Sequence, residues 1–264
     1  IDSQIENGTD AIVIAGTTGE ASTFSDEEHV ESFRFTVDRV GGRVPVIAGA
    51  GSNHTDYAVW LSKKAKEAGA DALLHVTPYY NKTSQKGLIR HFAEIADATD
   101  LPMILYNVPS RTGMTIKPET YLALSEHPNI IAVKEASGNL SAIAQTRYLC
   151  GDKLDIYSGN DDQIVPILSL GGKGVISVLS NVMPKAAHDI CQLYFDGKTT
   201  ESSDLQIKLM GLIDALFCDV NPIPVKEAMN LLGWKAGQCR LPLTDISDAG
   251  RELLIKEMKA VNLL

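Results

Sequence analysis

A lysine closes one of the most apolar short runs in this chain. Ile130-Ile-Ala-Val-Lys134 reads as a buried strand, and Glu135-Ala-Ser-Gly138 as the loop that follows it. Burial disfavours an ammonium, so Lys134 is either paired with a carboxylate or set up as a nucleophilic amine toward a carbonyl. Side chains alternate along a strand, so Glu135 points to the opposite face and is a poor partner. That favours the nucleophile. Tyr106 ends a neighbouring apolar run, and a phenol beside an amine can move protons during carbonyl addition and release. Other runs end in Gly16-Thr-Thr-Gly-Glu20, Thr77-Pro-Tyr-Tyr-Asn81, Tyr106-Asn-Val-Pro-Ser-Arg-Thr-Gly113 and Ser158-Gly-Asn-Asp161. Taken singly, each has an ordinary structural explanation. Thr17 and Thr18 can brace a glycine turn, Tyr79 and Tyr80 can be interface aromatics, and Arg111 can be a solvated charge. Their shared position at strand ends is what points to a site.

The elements that would hold these residues alternate. Strands are expected over 11–15, 44–48, 72–76, 103–106, 130–134, 155–158 and 174–178, each continuously apolar as in a parallel sheet covered on both faces. Helices are expected over 25–40, 55–68, 85–98, 117–125, 140–149 and 161–170. The first carries Ser25 and Glu28 as a capping box. Strand–helix alternation means right-handed βαβ units, and reactive groups in such a barrel gather where the strands end. Seven strands do not close an eight-stranded barrel. Residues 1–6 read as the tail of a helix, so the expectation is an α/β (β/α)8 TIM barrel whose first βα unit is missing from this chain. After the last strand, helices over 184–195, 202–217, 222–232 and 247–261 follow without strands between them. The division is a barrel over 1–197 and a C-terminal helical extension over 198–264. An open doubly wound sheet is the alternative, but no Gly-x-Gly-x-x-Gly follows the first strand.

Composition narrows the partners. Among 264 residues, 24 are basic and 33 acidic, a net charge of −9, and no basic cluster suits nucleic acid. No apolar stretch approaches the ~18–20 residues that span a bilayer. Cys150, Cys191, Cys218 and Cys239 lack C-x-x-C spacing, so reduced thiols in a cytoplasmic protein are expected. His29, His54, His75, His91, His127 and His188 show no metal-ligand spacing and read as structural; no metal or cofactor is expected. Asp161-Asp162 reads as a pair of helix N-terminal charges. Gly171-Gly-Lys-Gly174 precedes its strand and reads as a tight turn on the far face.

With these strand ends assembled, the chain resembles the dihydrodipicolinate synthase (4-hydroxy-tetrahydrodipicolinate synthase) family, in the pyruvate-dependent class I aldolase superfamily. The motifs that carry it are Gly16-Thr-Thr-Gly-Glu20, Tyr106-Asn-Val-Pro-Ser-Arg-Thr-Gly113, Ile131-Ala-Val-Lys-Glu-Ala-Ser-Gly138 and Asn221-Pro-Ile-Pro-Val-Lys226. The similarity runs from Asn7 to the C-terminus. It implies that Lys134 forms an imine with pyruvate, whose enamine attacks L-aspartate 4-semialdehyde. Ring closure then gives 4-hydroxy-tetrahydrodipicolinate, the first committed step of diaminopimelate and lysine biosynthesis. Tyr106 matches the acid/base of a proton relay through Thr18, completed by Tyr80 of a neighbouring subunit. Thr17 and Thr18 match the turn that holds the pyruvate carboxylate. Arg111 matches the residue that binds the carboxylate of the second substrate, and Gly159 and Ile176 line the pocket.

The resemblance also implies a homotetramer built as a dimer of dimers, and a lysine-binding regulatory site at Ser22, His29, Asn53 and Tyr79. Asp26 and Tyr57 stand where lysine-sensitive relatives commonly carry a histidine and a glutamate, so weak or absent inhibition by L-lysine is expected. The rival reading is another pyruvate-dependent aldolase or lyase, such as an N-acetylneuraminate lyase. Arg111 and the Thr17-Thr18 pair argue against it, since they suit a short aldehyde bearing a carboxylate. A catalytically silent binding barrel is a third class, and nothing in the motifs favours it.

Overall fold

The computed structural model describes residues 1–264. Seven parallel strands pair in sequence order: β1 Ile12–Ile14, β2 Val46–Gly49, β3 Ala72–Val76, β4 Met103–Asn107, β5 Ile130–Glu135, β6 Asp155–Ser158 and β7 Gly174–Val175. The helices between them are α1 Asp2–Glu6, α2 Asp26–Val40, α3 Thr55–Glu67, α4 Gln85–Asp97, α5 Pro109–Thr112, α6 Pro118–Leu124, α7 Leu140–Cys150 and α8 Ile164–Ser169. Then come α9 Pro184–Phe195, α10 Thr199–Ala215, α11 Ile223–Leu231 and α12 Asp248–Ala260, with no strand among them. No helix is long and apolar enough to cross a membrane.

Local chemistry sets the element boundaries. The Ser25 side chain accepts from the Glu28 N–H while Glu28 reaches back to the Ser25 N–H, closing the capping box that starts α2. β7 is the element that differs most from expectation, covering two residues instead of the five expected over 174–178. Gly174 sits at φ +150, and the Val178 and Leu179 amides donate to Asp161 instead of to a strand partner. The ladder is therefore cut short, although the Ile176 N–H still reaches the Ser158 carbonyl at 2.8 Å.

Strand alternation sorts the apolar residues into two layers. Leu73, Met103, Leu105, Val133 and Ile156 face outward and join Phe33, Leu61, Phe92 and Tyr121 in the main core beneath the helices. Leu74, Ile104, Tyr106, Val108 and Ala132 form a smaller cluster on the inner face, with Val13, Ile47, Val76 and Tyr157 around it. A third core unites α8 to α12 through Ile190, Leu209, Leu212, Leu254 and Met258. Fully burying such side chains contributes roughly 1.5–3 kcal/mol each, so every layer is independently anchored.

Candidate active site

Lys134 belongs to the inner parity of β5, two residues on from Ala132 of the inner cluster. The β4–β5 register sets Tyr106 directly beside it. The ammonium nitrogen lies 4.4 Å from the centre of the Tyr106 ring, a cation–π contact when charged. Desolvation nevertheless dominates and lowers the Lys134 pKa to about 8; Asp161 works to raise it, and Arg111 to lower it further. At neutral pH this leaves roughly a tenth of the amine uncharged, against well under a thousandth for an unperturbed lysine. The side chain is thus a usable nucleophile.

Burial pushes the Tyr106 phenol above its ordinary pKa, while the Arg111 guanidinium and the Thr17 hydroxyl work against that rise. Thr17 is thus a threonine whose hydroxyl bears on Tyr106. The Thr18 hydroxyl, expected in the relay, pairs with the Asn221 amide, whose nitrogen donates to it at 3.1 Å. Thr17 and Thr18 lie in one short 3₁₀ turn.

Arg111 ends up at the mouth because α5 starts on Pro109 and stops at Gly113, which adopts the left-handed conformation. Its guanidinium donates to the Asn221 carbonyl at 3.1 Å. Thr17, Glu20, Ser22, Arg111, Asn221 and Pro222 contribute to a cavity of about 130 Å³ there. Gly159 packs against Lys134: a methyl added to it would stand 2.8 Å from the Ala136 Cβ and 3.2 Å from the Lys134 Cε. Ile176 is half-buried, one strand further round.

Three features escaped the reading of the sequence. Asp161 is not merely a helix-start charge, because it is 2 % exposed and its Oδ2 accepts from Val178 (3.0 Å) and Leu179 (2.8 Å). Its other oxygen has no protein partner, and its field acts on Lys134. A signal was available, since an acid straight after a strand end is a natural site residue. Asn221 is buried and joins Thr18 to Arg111 from the turn before α11; it opens the Asn221–Lys226 motif, but nothing local in that motif says what it touches. Glu20 pairs with Lys226 and accepts from the Arg240 N–H at 2.7 Å, tying the Gly-Thr-Thr-Gly turn to α11 and the loop after it.

Two expected groups lie apart. Tyr80 is 93 % exposed, so it touches almost nothing of its own chain, and its backbone is held at φ +66. Among the expected regulatory residues, the Asn53 amide donates to the Tyr79 carbonyl at 3.1 Å and Ser22 is exposed. His29 is buried between Phe24 and Phe33, with its Nε2 2.9 Å from the Gly49 carbonyl. The Tyr57 hydroxyl donates to Asp26 at 2.6 Å. Glu135 lies on the opposite side of the sheet from Lys134, bonded to Asn107 and Tyr121, as alternation requires.

Known proteins resemble this one over nearly the whole chain. The profile of the Dihydrodipicolinate synthetase family matches residues 1–261. The 4-hydroxy-tetrahydrodipicolinate synthase of Caldicellulosiruptor saccharolyticus is 60 % identical over 258 residues, 98 % of this chain and 87 % of that protein. The dihydrodipicolinate synthase of Cyanidioschyzon merolae, solved with lysine bound, superimposes with a TM-score of 0.97 at 45 % identity, covering 99 % of this chain and 89 % of that one. The chloride-inhibited enzyme of Acinetobacter baumannii, solved with pyruvate, gives 0.96 at 41 % identity, covering 100 % and 90 %. With its motifs, its sheet and its relatives in agreement, the chain belongs to the dihydrodipicolinate synthetase family.

Proposed function

We propose that this protein condenses pyruvate with L-aspartate 4-semialdehyde to give 4-hydroxy-tetrahydrodipicolinate, through an imine on Lys134. The observation that carries the reading is the desolvated Lys134 amine lying over the Tyr106 ring at 4.4 Å. The neutral amine adds to the keto carbon of pyruvate, and water leaves to form the imine. Loss of a methyl proton gives the enamine, which attacks the aldehyde carbon of the second substrate. The substrate's own amino group then attacks the imine carbon, closing the ring and freeing Lys134. Tyr106 moves the protons, with Thr17 as its hydroxyl partner. Thr18 and the turn around it hold the pyruvate carboxylate. Arg111 takes the carboxylate of the second substrate, because a guanidinium fork matches that group bidentately. Gly159 and Ile176 shape the pocket wall.

Tyr80 completes the relay in a neighbouring subunit; its exposure and its left-handed backbone support a side chain presented outward. We read the assembly as a homotetramer of paired dimers. The open edges at β1 and β7 suit a (β/α)8 barrel wall whose first unit lies outside these residues. The barrel then occupies 1–197 and the helical extension 198–264. The four free thiols suit a cytoplasmic setting. L-lysine is read as a weak effector at Ser22, His29, Asn53 and Tyr79, since the Asp26–Tyr57 hydrogen bond leaves no free carboxylate pair for its ammonium.

Treatment with pyruvate and borohydride should add a pyruvate-derived mass to Lys134, and Lys134→Ala should abolish it. Coupled turnover with aspartate semialdehyde should far exceed turnover with sugar aldehydes. An adduct that persists in Lys134→Ala would remove the imine mechanism. Preference for sugar aldehydes would move the protein to the sugar-acid lyases.

A further inference from the structure

We propose that Glu135, with Asn107 and Tyr121, locks the β4–β5 register from the helix-covered side of the sheet and so positions Lys134 and Tyr106. The inference rests on the imine reading above, because it explains how those two residues are held side by side.

Tyr106 pairs with Lys134, and the next residues, Asn107 and Glu135, pair with each other. Alternation puts the first pair inside and the second pair outside. The outer pair is bonded: the Asn107 amide donates to both Glu135 oxygens at 3.1 Å. Glu135 Oε1 also accepts from the Ser137 N–H at 2.8 Å, and Oε2 from the Tyr121 hydroxyl at 3.0 Å. The Asn107 side-chain oxygen, Oδ1, accepts from the Ile116 N–H at 3.2 Å. Glu135, Asn107 and Tyr121 are 5 %, 1 % and 1 % exposed, and no cation joins them.

Such a lock is needed because the β4–β5 ladder is broken. Met103 pairs with Ile130, but Ile104 pairs with Ala132, so β5 carries one extra residue at a bulge. Beyond a bulge the ladder alone does not choose between registers. A slip by one residue would exchange the faces and turn Lys134 away from the inner cavity. Only the bonded register places an amide opposite a carboxylate, with a phenol and a backbone N–H completing the shell. A buried carboxylate without a cation is an expensive way to fill space, and an apolar side chain would pack there at lower cost. Positional discrimination is what the polar group adds.

The test compares Glu135→Gln, Asn107→Asp, the double exchange and Tyr121→Phe in the full chain. Each is measured for thermal midpoint, kcat, KM for pyruvate and the rate of borohydride trapping at Lys134. Each single change at Glu135 or Asn107 should lower kcat and trapping rate together by about 10- to 100-fold, the scale of an ångström's misplacement. KM should move less than threefold. The double exchange recreates an amide–carboxylate pair with the roles reversed, and should recover kcat to within about fivefold of the parent. Tyr121→Phe removes one hydrogen bond and should lower kcat by about three- to tenfold.

Parental kcat per folded molecule in the single variants, with only the thermal midpoint lowered, would overturn the lock. So would a double variant whose loss is the product of the two single losses. Should Glu135→Gln fail to fold, Tyr121→Phe decides alone, and parental kcat there refutes the proposal. Absence of a borohydride adduct on the parent protein is a separate failure, because it removes the imine itself.

Discussion

Replacing Gly159 by alanine should slow the enzyme while leaving it folded. The new Cβ would stand 2.8 Å from the Ala136 Cβ, 3.2 Å from the Lys134 Cε and 3.2 Å from the Glu135 carbonyl oxygen. Carbon atoms rest about 3.5–4.0 Å apart, so the shortfall is about 1 Å against Ala136 and about half that against the lysine stem. The backbone cannot back away freely, because the Gly159 N–H donates to the Glu135 carbonyl at 2.8 Å. Of the three neighbours, the lysine stem is the softest, and it yields first. Overpacking of this kind costs about 1–3 kcal/mol in stability. A displacement of about 1 Å at a reacting group costs about 100-fold in rate. The lysine stem has to give by about half of that distance, so Gly159→Ala should lower kcat by about tenfold. Coupled turnover and stopped borohydride trapping would read it, with circular dichroism reporting the fold. Parental turnover in a folded Gly159→Ala protein would mean that the nucleophile does not depend on this wall.

The pH dependence of trapping follows from the Lys134 pKa of about 8. The rate should rise nearly tenfold for each pH unit below that value and level off above it; continued rise toward pH 10 would show an unperturbed amine. Tyr106→Phe retains the ring beneath Lys134 but removes the proton carrier, so turnover should fall about 100- to 10,000-fold while pyruvate still forms an adduct. Turnover like the parent's would end the proton-carrier assignment. A stability effect comes from His75 and His91, whose pKa values burial lowers to about 3 and about 4. Both are neutral in the folded chain, whereas unfolded histidines take up a proton below about 6.5. The stability is therefore complete above that pH and is lost as pH falls toward the folded values. At pH 5 each ring should cost on the order of 2 kcal/mol. Denaturant midpoints at pH 7 and pH 5 would measure this, and a midpoint unchanged between them would refute it.

Much of the candidate site is legible because a parallel sheet writes its strands as continuous apolar runs. A charged or phenolic residue at the end of such a run stands out, which makes Lys134 and Tyr106 candidates from the sequence. Alternation also placed Glu135 on the far face without coordinates. What remained hidden was long-range or rotational. Asn221 reaches Thr18 from 203 residues away, and Asp161 takes its amide partners from the loop after β7. Which partner each of Thr17 and Thr18 takes depends on the rotation of one short turn, which two identical neighbours cannot reveal. The length of β7 was overestimated because its apolar residues continue after its backbone has already turned away.

The link from Glu20 to Lys226 and Arg240 has a consequence for the tail of the molecule. It makes the last helices a buttress for the Gly-Thr-Thr-Gly turn, which is moored to them on one side. Trimming or loosening those helices would first be felt as a drift of that turn, while the staves of the sheet still stood.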